Sequence, residues 1–67
     1  MQYGTVKHWN AAQGFGFITL ENDDDVFLHV SNLDRSLEAK DVREGMRVKF
    51  DISSDMKGDK AINIRRA

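Results

Sequence analysis

Four side chains with planar rings occur at strand spacing in two short segments. In the segment GFGFI, Phe15 and Phe17 alternate with glycines, and in the segment DVFLH, Phe27 and His29 alternate with valine and leucine. Side chains alternate between the two faces of a β-strand, so each pair lies on one face. Unpaired bases stack on exposed rings of this kind. The spacing therefore predicts a binding surface for single-stranded nucleic acid.

The alternative for these rings is a place in the hydrophobic core. That arrangement would turn Val26 and Leu28 to solvent and place two glycines on the surface, which makes poor use of the apolar side chains. For His29 the alternative is an ordinary surface histidine. Its position on the same face as Phe27 favours a contact with a base or a phosphate.

Four further residues are candidates at the edges of this surface. Lys7 is predicted to contact a phosphate, with a solvated lysine as the alternative. His8 and Trp9 are candidate stacking rings; a single tryptophan in a small domain is often part of the core, but Trp9 shares strand parity with Lys7, which favours exposure of both. Asp25 has two equal interpretations: its carboxylate accepts hydrogen bonds from base amino groups, or it satisfies the backbone of the preceding turn.

Composition excludes several other classes of function. The chain has 67 residues, enough for one small domain, and no cysteine, so disulfides and thiolate metal sites are absent. Its two histidines, His8 and His29, belong to no recognised catalytic motif, and the aspartates at 23–25 lack the spacing of a calcium loop. We expect no enzymatic activity, no cofactor and no metal site.

The charge balance indicates how such a surface would bind. Ten basic against eleven acidic residues give a net charge of −1, whereas nucleic-acid-binding domains are often strongly basic. Affinity must then depend on stacking more than on phosphate contacts. Lys57 and Lys60, in a predicted loop, are weak candidates for the backbone, and Arg65 and Arg66 are interpreted as a solvated tail.

Alternation of apolar and polar residues predicts the elements that position these side chains. Five short strands are expected, at 3–10, 15–20, 26–30, 46–52 and 61–65. Segment 32–45 is expected to be a loop with at most one or two helical turns, one of them capped by Asp41, and 53–59 a hairpin loop. Ile62 and Ile64 are expected to face the core. So few short strands predict an all-β, antiparallel closed barrel, because closure removes exposed edges.

Three segments, in this order and spacing, resemble the bacterial cold-shock proteins: GTVKHWN at 4–10, GFGFI at 14–18 and DVFLH at 25–29. The last two correspond to that family's two ribonucleoprotein motifs. The strand GMRVKF and the ending AINI fit as well, so the resemblance covers residues 1–67 as a single domain. It implies a five-stranded oligonucleotide-binding barrel (OB-fold) that binds single-stranded RNA and DNA, commonly as an RNA chaperone.

The sequence departs from that family pattern at several positions. His8 and Trp9 stand where the family usually has Trp-Phe, Gln13 replaces a lysine, Val30 replaces a phenylalanine, and the loop 31–45 carries no ring. Stacking contributes about 1–3 kcal/mol per base. We therefore expect micromolar rather than nanomolar affinity for a generic oligonucleotide, a difference of roughly 4 kcal/mol.

The expected function is non-enzymatic binding of single-stranded RNA and DNA with low sequence specificity, in the manner of an RNA chaperone. The alternative is a barrel that uses its rings to bind a protein partner or a second copy of itself. No signal peptide and no apolar run near the roughly 20 residues of a membrane span is found, so a cytoplasmic location without membrane association is expected. A monomer is expected, with a strand-exchanged dimer left open.

Overall fold

Alternating apolar residues form five strands in the computed structural model, which describes residues 1–56 and 58–67. The strands are β1 (Gln2–Asn10), β2 (Phe15–Leu20), β3 (Asp25–His29), β4 (Arg47–Asp55) and β5 (Gly58–Arg66). The predicted number of strands is confirmed, but several bounds differ. The third strand ends at His29 because Val30 begins a 3₁₀ turn, and most of the predicted loop 53–59 belongs to β4 and β5. Lys57 lies outside the described residues.

The strands close into a barrel in the order β1-β2-β3-β5-β4. The expectation of an antiparallel barrel is only partly right, because β3 and β5 pair in parallel, with Phe27 opposite Lys60. An isolated parallel bridge between Leu33 and Ile64 extends this seam. The physical reason is geometric: strand directions cannot alternate all the way around a ring of five. At least one neighbouring pair must therefore run parallel.

The inward-facing side chains of all five strands pack into a single apolar core. Its ten members are 0–3% exposed: Val6, Ile18, Val26, Leu28, Leu37, Val42, Val48, Phe50, Ala61 and Ile64. Leu37 and Val42 come from the long connection between β3 and β4 and cover one end of the barrel. The prediction that Ile62 faces the core with Ile64 is wrong. Asn63 adopts a positive φ of 53° at an irregularity in the β4–β5 register, so Ala61 replaces Ile62 as the buried residue.

The connection between β3 and β4 contains two 3₁₀ turns, Val30–Asn32 and Ala39–Asp41. The second turn lies within the predicted loop 32–45, where at most two short helical turns were expected, whereas the first begins at the end of the predicted third strand. Asp41 lies inside the second turn instead of preceding a helix, so its predicted capping role is wrong. In residues 1–56 and 58–67 no helix has the length and apolar character needed to cross a membrane.

Candidate nucleic-acid interface

The register of β2 and β3 brings the predicted rings together on the outside of the barrel. Phe15 lies opposite His29 and Phe17 opposite Phe27, and directly opposite residues project from the same face of a sheet. Phe27 lies at the centre, with ring centroids 6.3 Å from Phe15, 6.0 Å from Phe17 and 6.0 Å from His29. These four side chains are called the aromatic platform below.

The opposite face of the same strands belongs to the core. Ile18, Val26 and Leu28 are 0–3% exposed, whereas Phe17 is 41% exposed and the other platform rings are half-buried. The alternative in which the phenylalanines fill the core is therefore wrong. An exposed phenylalanine held by neighbouring rings offers a flat apolar surface to a ligand without rearrangement.

A β-bulge in β1 determines the side-chain directions of Lys7, His8 and Trp9. Val6 pairs with Ile18 but His8 pairs with Phe17, so Lys7 is an extra residue in β1. Bulges interrupt the alternation of side chains and re-aim those that follow. Lys7 and His8 consequently both face solvent, and His8 lies beside Phe17 at the edge of the platform.

The same bulge turns Trp9 away from the platform. Trp9 pairs with Gly16, whose position faces the interior, and its half-buried ring packs against the core. Its indole Nε1 is buried without a hydrogen-bond partner. The expectation that Trp9 shares a face with Lys7 is wrong, because the alternation used to infer it breaks at Lys7. Contact of Trp9 with a base stays a prediction.

Asp25, the first residue of β3, forms an ion pair with Lys7 across the sheet. The Lys7 Nζ donates to Asp25 Oδ2 over 3.2 Å, and the Thr19 Oγ1 donates to Asp25 Oδ1 over 3.0 Å. The hydrogen bond from Lys7 and that from Thr19 lower the pKa of the Asp25 carboxyl below its usual 3.8. In the structure the Asp25 carboxylate thus accepts from side chains across the sheet.

Removing the lysine is expected to release this carboxyl. In Lys7→Met the pKa of Asp25 should rise towards 3.8, because the largest cause of its depression is lost. A carboxyl with a lowered folded-state pKa stabilises the fold above its unfolded pKa and loses that contribution as pH falls through the folded pKa. Carboxyl ¹³C titration by NMR measures the change. A midpoint that does not move in Lys7→Met contradicts the ion pair, and Lys40→Met serves as the control.

His29 is oriented by the turn that follows β3. Its Nδ1 accepts from the backbone N–H of Ser31 at 3.1 Å and lies 2.8 Å from the Ser31 Oγ. An imidazole nitrogen that accepts an N–H carries no proton, so the neutral ring has its proton on Nε2. The His29 Nε2–H is consequently available as a donor to a base or a phosphate oxygen beside Phe27.

Sequence reasoning did not assign Glu44 to this region, and it placed Lys60, a weak candidate for contact with the nucleic-acid backbone, in a loop. Glu44, from the connection between β3 and β4, accepts from the Trp9 backbone N–H at 3.2 Å and lies 3.4 Å from the His8 Nδ1. Lys60 lies in β5, directly opposite Phe27, and not in a loop. No local pattern signals the place of Glu44, since it is 35 residues from Trp9 in the chain.

Two basic side chains at the edge of the platform lie close to carboxylates. Lys7 is matched by Asp25, and His8 lies beside the carboxylate of Glu44. Such a surface attracts phosphates weakly, because counterion release grows with the number of phosphates neutralised by free cations. The arrangement suits a ligand held mainly through its bases.

Comparison with known proteins gives a consistent result. Residues 2–67 match the family described as the 'Cold-shock' DNA-binding domain. The chain is 46% identical over 67 residues to Cold shock protein CspC of Bacillus subtilis, covering 100% of both chains. It is 46% identical over 66 residues to the Major cold shock protein of Streptococcus pyogenes serotype M6, covering 98% of this chain and 97% of the relative. Cold shock protein CspA of Staphylococcus aureus is 41% identical over 64 residues, covering 96% of each.

Proposed function

This chain belongs to the 'Cold-shock' DNA-binding domain family, and we propose that it binds single-stranded RNA and DNA with low sequence specificity through the aromatic platform. The observation that carries this proposal is the register that sets Phe15 opposite His29 and Phe17 opposite Phe27. It gives successive bases a continuous row of rings. Stacking is tolerant of sequence because every base has a π-face.

Binding of this kind acts on nucleic-acid structure without catalysis or a cofactor. A ligand that binds only one of two states shifts the equilibrium towards that state. The platform receives a base only when the base is unpaired, so binding favours open RNA over misfolded duplexes. This is the activity of an RNA chaperone, and it is consistent with a cytoplasmic protein.

Moderate affinity for oligonucleotides is expected because the platform lacks rings at two places where they would add stacking. Val30 directly follows His29 and is 38% exposed, at a place where a ring would extend the stacking surface. The loop 31–45, where an aromatic is common in the family, offers Leu37, which is buried in the core. With Lys7 already paired to Asp25, a micromolar dissociation constant is proposed for short oligonucleotides.

Fluorescence anisotropy of labelled oligothymidine tests the proposal. It is preferred to Trp9 fluorescence because the Trp9 ring packs against the core and would report binding only indirectly. We expect a micromolar dissociation constant for the single strand and binding at least about tenfold weaker to a duplex of equal length, the loss of roughly one stacked base. The logarithm of affinity should fall with that of salt with a slope of about −0.7 to −1.4, equivalent to one or two phosphates.

Three results would count against this function. Equal affinity for the duplex would show that the rings do not select unpaired bases. A steep salt slope would assign the affinity to phosphates. Absence of binding together with self-association in analytical ultracentrifugation would favour the alternative, in which the platform contacts a protein or a second copy of the chain.

A further inference from the structure

A second row of side chains crosses the outside of β1, β4 and β5. Tyr3 lies opposite Lys49, and Lys49 lies opposite Arg65, so the three side chains project from one face across three adjacent strands. Their neighbours in β4, Val48 and Phe50, point into the core. The Tyr3 ring is 45% exposed. We call this set the basic row; β4 borders neither β2 nor β3, so the row lies on a different surface from the aromatic platform.

The basic row carries positive charge that the protein compensates only weakly. Like charges directly opposite each other in a sheet are destabilising, yet Lys49 faces Arg65. Arg65 has one carboxylate nearby, with its Nε 3.9 Å from Asp34 Oδ1. Within residues 1–56 and 58–67, no ion pair involves Lys49. Two cations placed side by side at a cost in stability indicate an anionic ligand.

Two neighbouring charges on β4 are paired in the part of the chain that the structure describes. Arg47, next along the outer face of β4, binds Glu21 through Nη2 at 3.2 Å. Asp51 lies 3.8 Å from the N-terminal amine and accepts from the Asn63 side-chain amide over 3.3 Å. Among Arg47, Lys49 and Asp51, the charge without an ion-pair partner in the described residues is therefore the positive charge of Lys49.

Tyr3 adds an aromatic surface to these cations. It lines a surface depression of about 270 Å³ together with Met1, Gln2, Leu20, Glu21 and Asn22. Ligand pockets for whole drug-sized molecules measure roughly 300–1,000 Å³, so this depression suits a single base. The Glu21 carboxylate in its wall is held by Arg47, which limits its repulsion of a phosphate.

We propose that the basic row is a second, weaker site for single-stranded nucleic acid, in which a base stacks on Tyr3 and its phosphate lies between Lys49 and Arg65. This inference rests on the proposed function and extends it. Since the two sites occupy different sides of the barrel, one molecule then holds two unpaired segments at once. Such a molecule brings strands together as well as keeping them open.

Amide ¹H–¹⁵N NMR titration of the full chain with hexathymidine tests the inference. Amides of the platform should shift with one dissociation constant, and those of Tyr3, Lys49 and Arg65 with a second, larger one. Hexaglutamate, which offers negative charge without bases, should shift the amides of the basic row less than hexathymidine does at the same concentration. Failure of the proposed function would be seen separately, as platform amides that do not move.

Variants separate the two sites. Lys49→Gln should weaken binding at the basic row about tenfold, the effect of losing a charged hydrogen bond, and change the platform constant by less than about twofold, as for distant sites. Tyr3→Leu should also weaken the row about tenfold through lost stacking. Lys40→Gln, the same charge change in the second 3₁₀ turn, is the control and should leave both constants unchanged.

The inference is overturned by any of several results. Row amides that stay fixed, or that follow the platform constant in every variant, would show that no separate site exists. Equal effects of Lys49→Gln and Lys40→Gln on binding would show that only the net charge of the protein matters, not the position of Lys49. Row shifts with hexaglutamate as large as those with hexathymidine, or unaltered binding in Tyr3→Leu, would exclude recognition of a nucleotide.

Discussion

Phe27→Leu is expected to weaken binding of oligothymidine by a factor of roughly 5 to 150, the loss of about 1–3 kcal/mol that one stacked base contributes. Phe27 should have the largest effect of any platform residue because it contacts all three of the others. Leucine keeps much of the apolar contact with the neighbouring rings but offers no flat face. Anisotropy titration of labelled oligothymidine measures the change.

Two controls separate stacking from damage to the fold. Phe27→Trp retains an aromatic face at the same place and should bind within a few-fold of the wild type. Urea unfolding should show similar free energies for both variants, since Phe27 projects outside the core. Unchanged affinity in a folded Phe27→Leu protein would mean that bases do not stack at the centre of the platform, and the proposed mechanism would be lost.

The platform could be predicted from sequence because its signal is local. Alternation within five or six residues decides which side chains share a face, and the choice between faces is settled by what lies on the other one. Val26 and Leu28 need burial more than Phe27 does, because Gly14 and Gly16 have no side chains to fill the core beside them. The structure confirms that all three phenylalanines lie outside the core.

The features that sequence reasoning missed depend on contacts between distant segments. The extra residues at Lys7 and Asn63 exist only in relation to the partner strands that they pair with, so the direction of Trp9 and Ile62 could not be read from alternation alone. Glu44 and the basic row likewise require the register of strands far apart in the chain. The parallel pair, by contrast, could have been predicted, because a closed barrel with an odd number of strands must contain at least one.

The bulge at Lys7 and the glycine at position 16 form one structural device. Gly16 lies opposite Trp9 in the register, and a Cβ there would overlap the carbonyl oxygen of His8 and lie 3.0 Å from Trp9 Cα. The backbone of β1 thus approaches β2 more closely than a side chain permits. The bulge beside this close approach leaves His8 facing outward next to Phe17 and Trp9 packed against the core.

Gly16→Ala is therefore expected to destabilise the fold by at least about 3 kcal/mol, the upper end of the cost of overpacking. Its new methyl group meets main-chain atoms held in the β1–β2 ladder, which cannot move aside as a side chain can. A domain this small has roughly 3–5 kcal/mol of stability from its core, so the urea midpoint should fall by more than half. Urea unfolding followed by far-UV circular dichroism measures the loss.

Gly45→Ala is the matched control, because the same methyl group is added there without a steric contact. Gly45 has a φ of 90° and no heavy atom within 4 Å of an added Cβ, so alanine costs only the backbone strain of about 1–2 kcal/mol. The control should therefore unfold at a higher urea concentration than Gly16→Ala. If the two variants unfold at the same urea concentration, steric contact with β1 is not what position 16 requires, and the bulge must be held by other interactions.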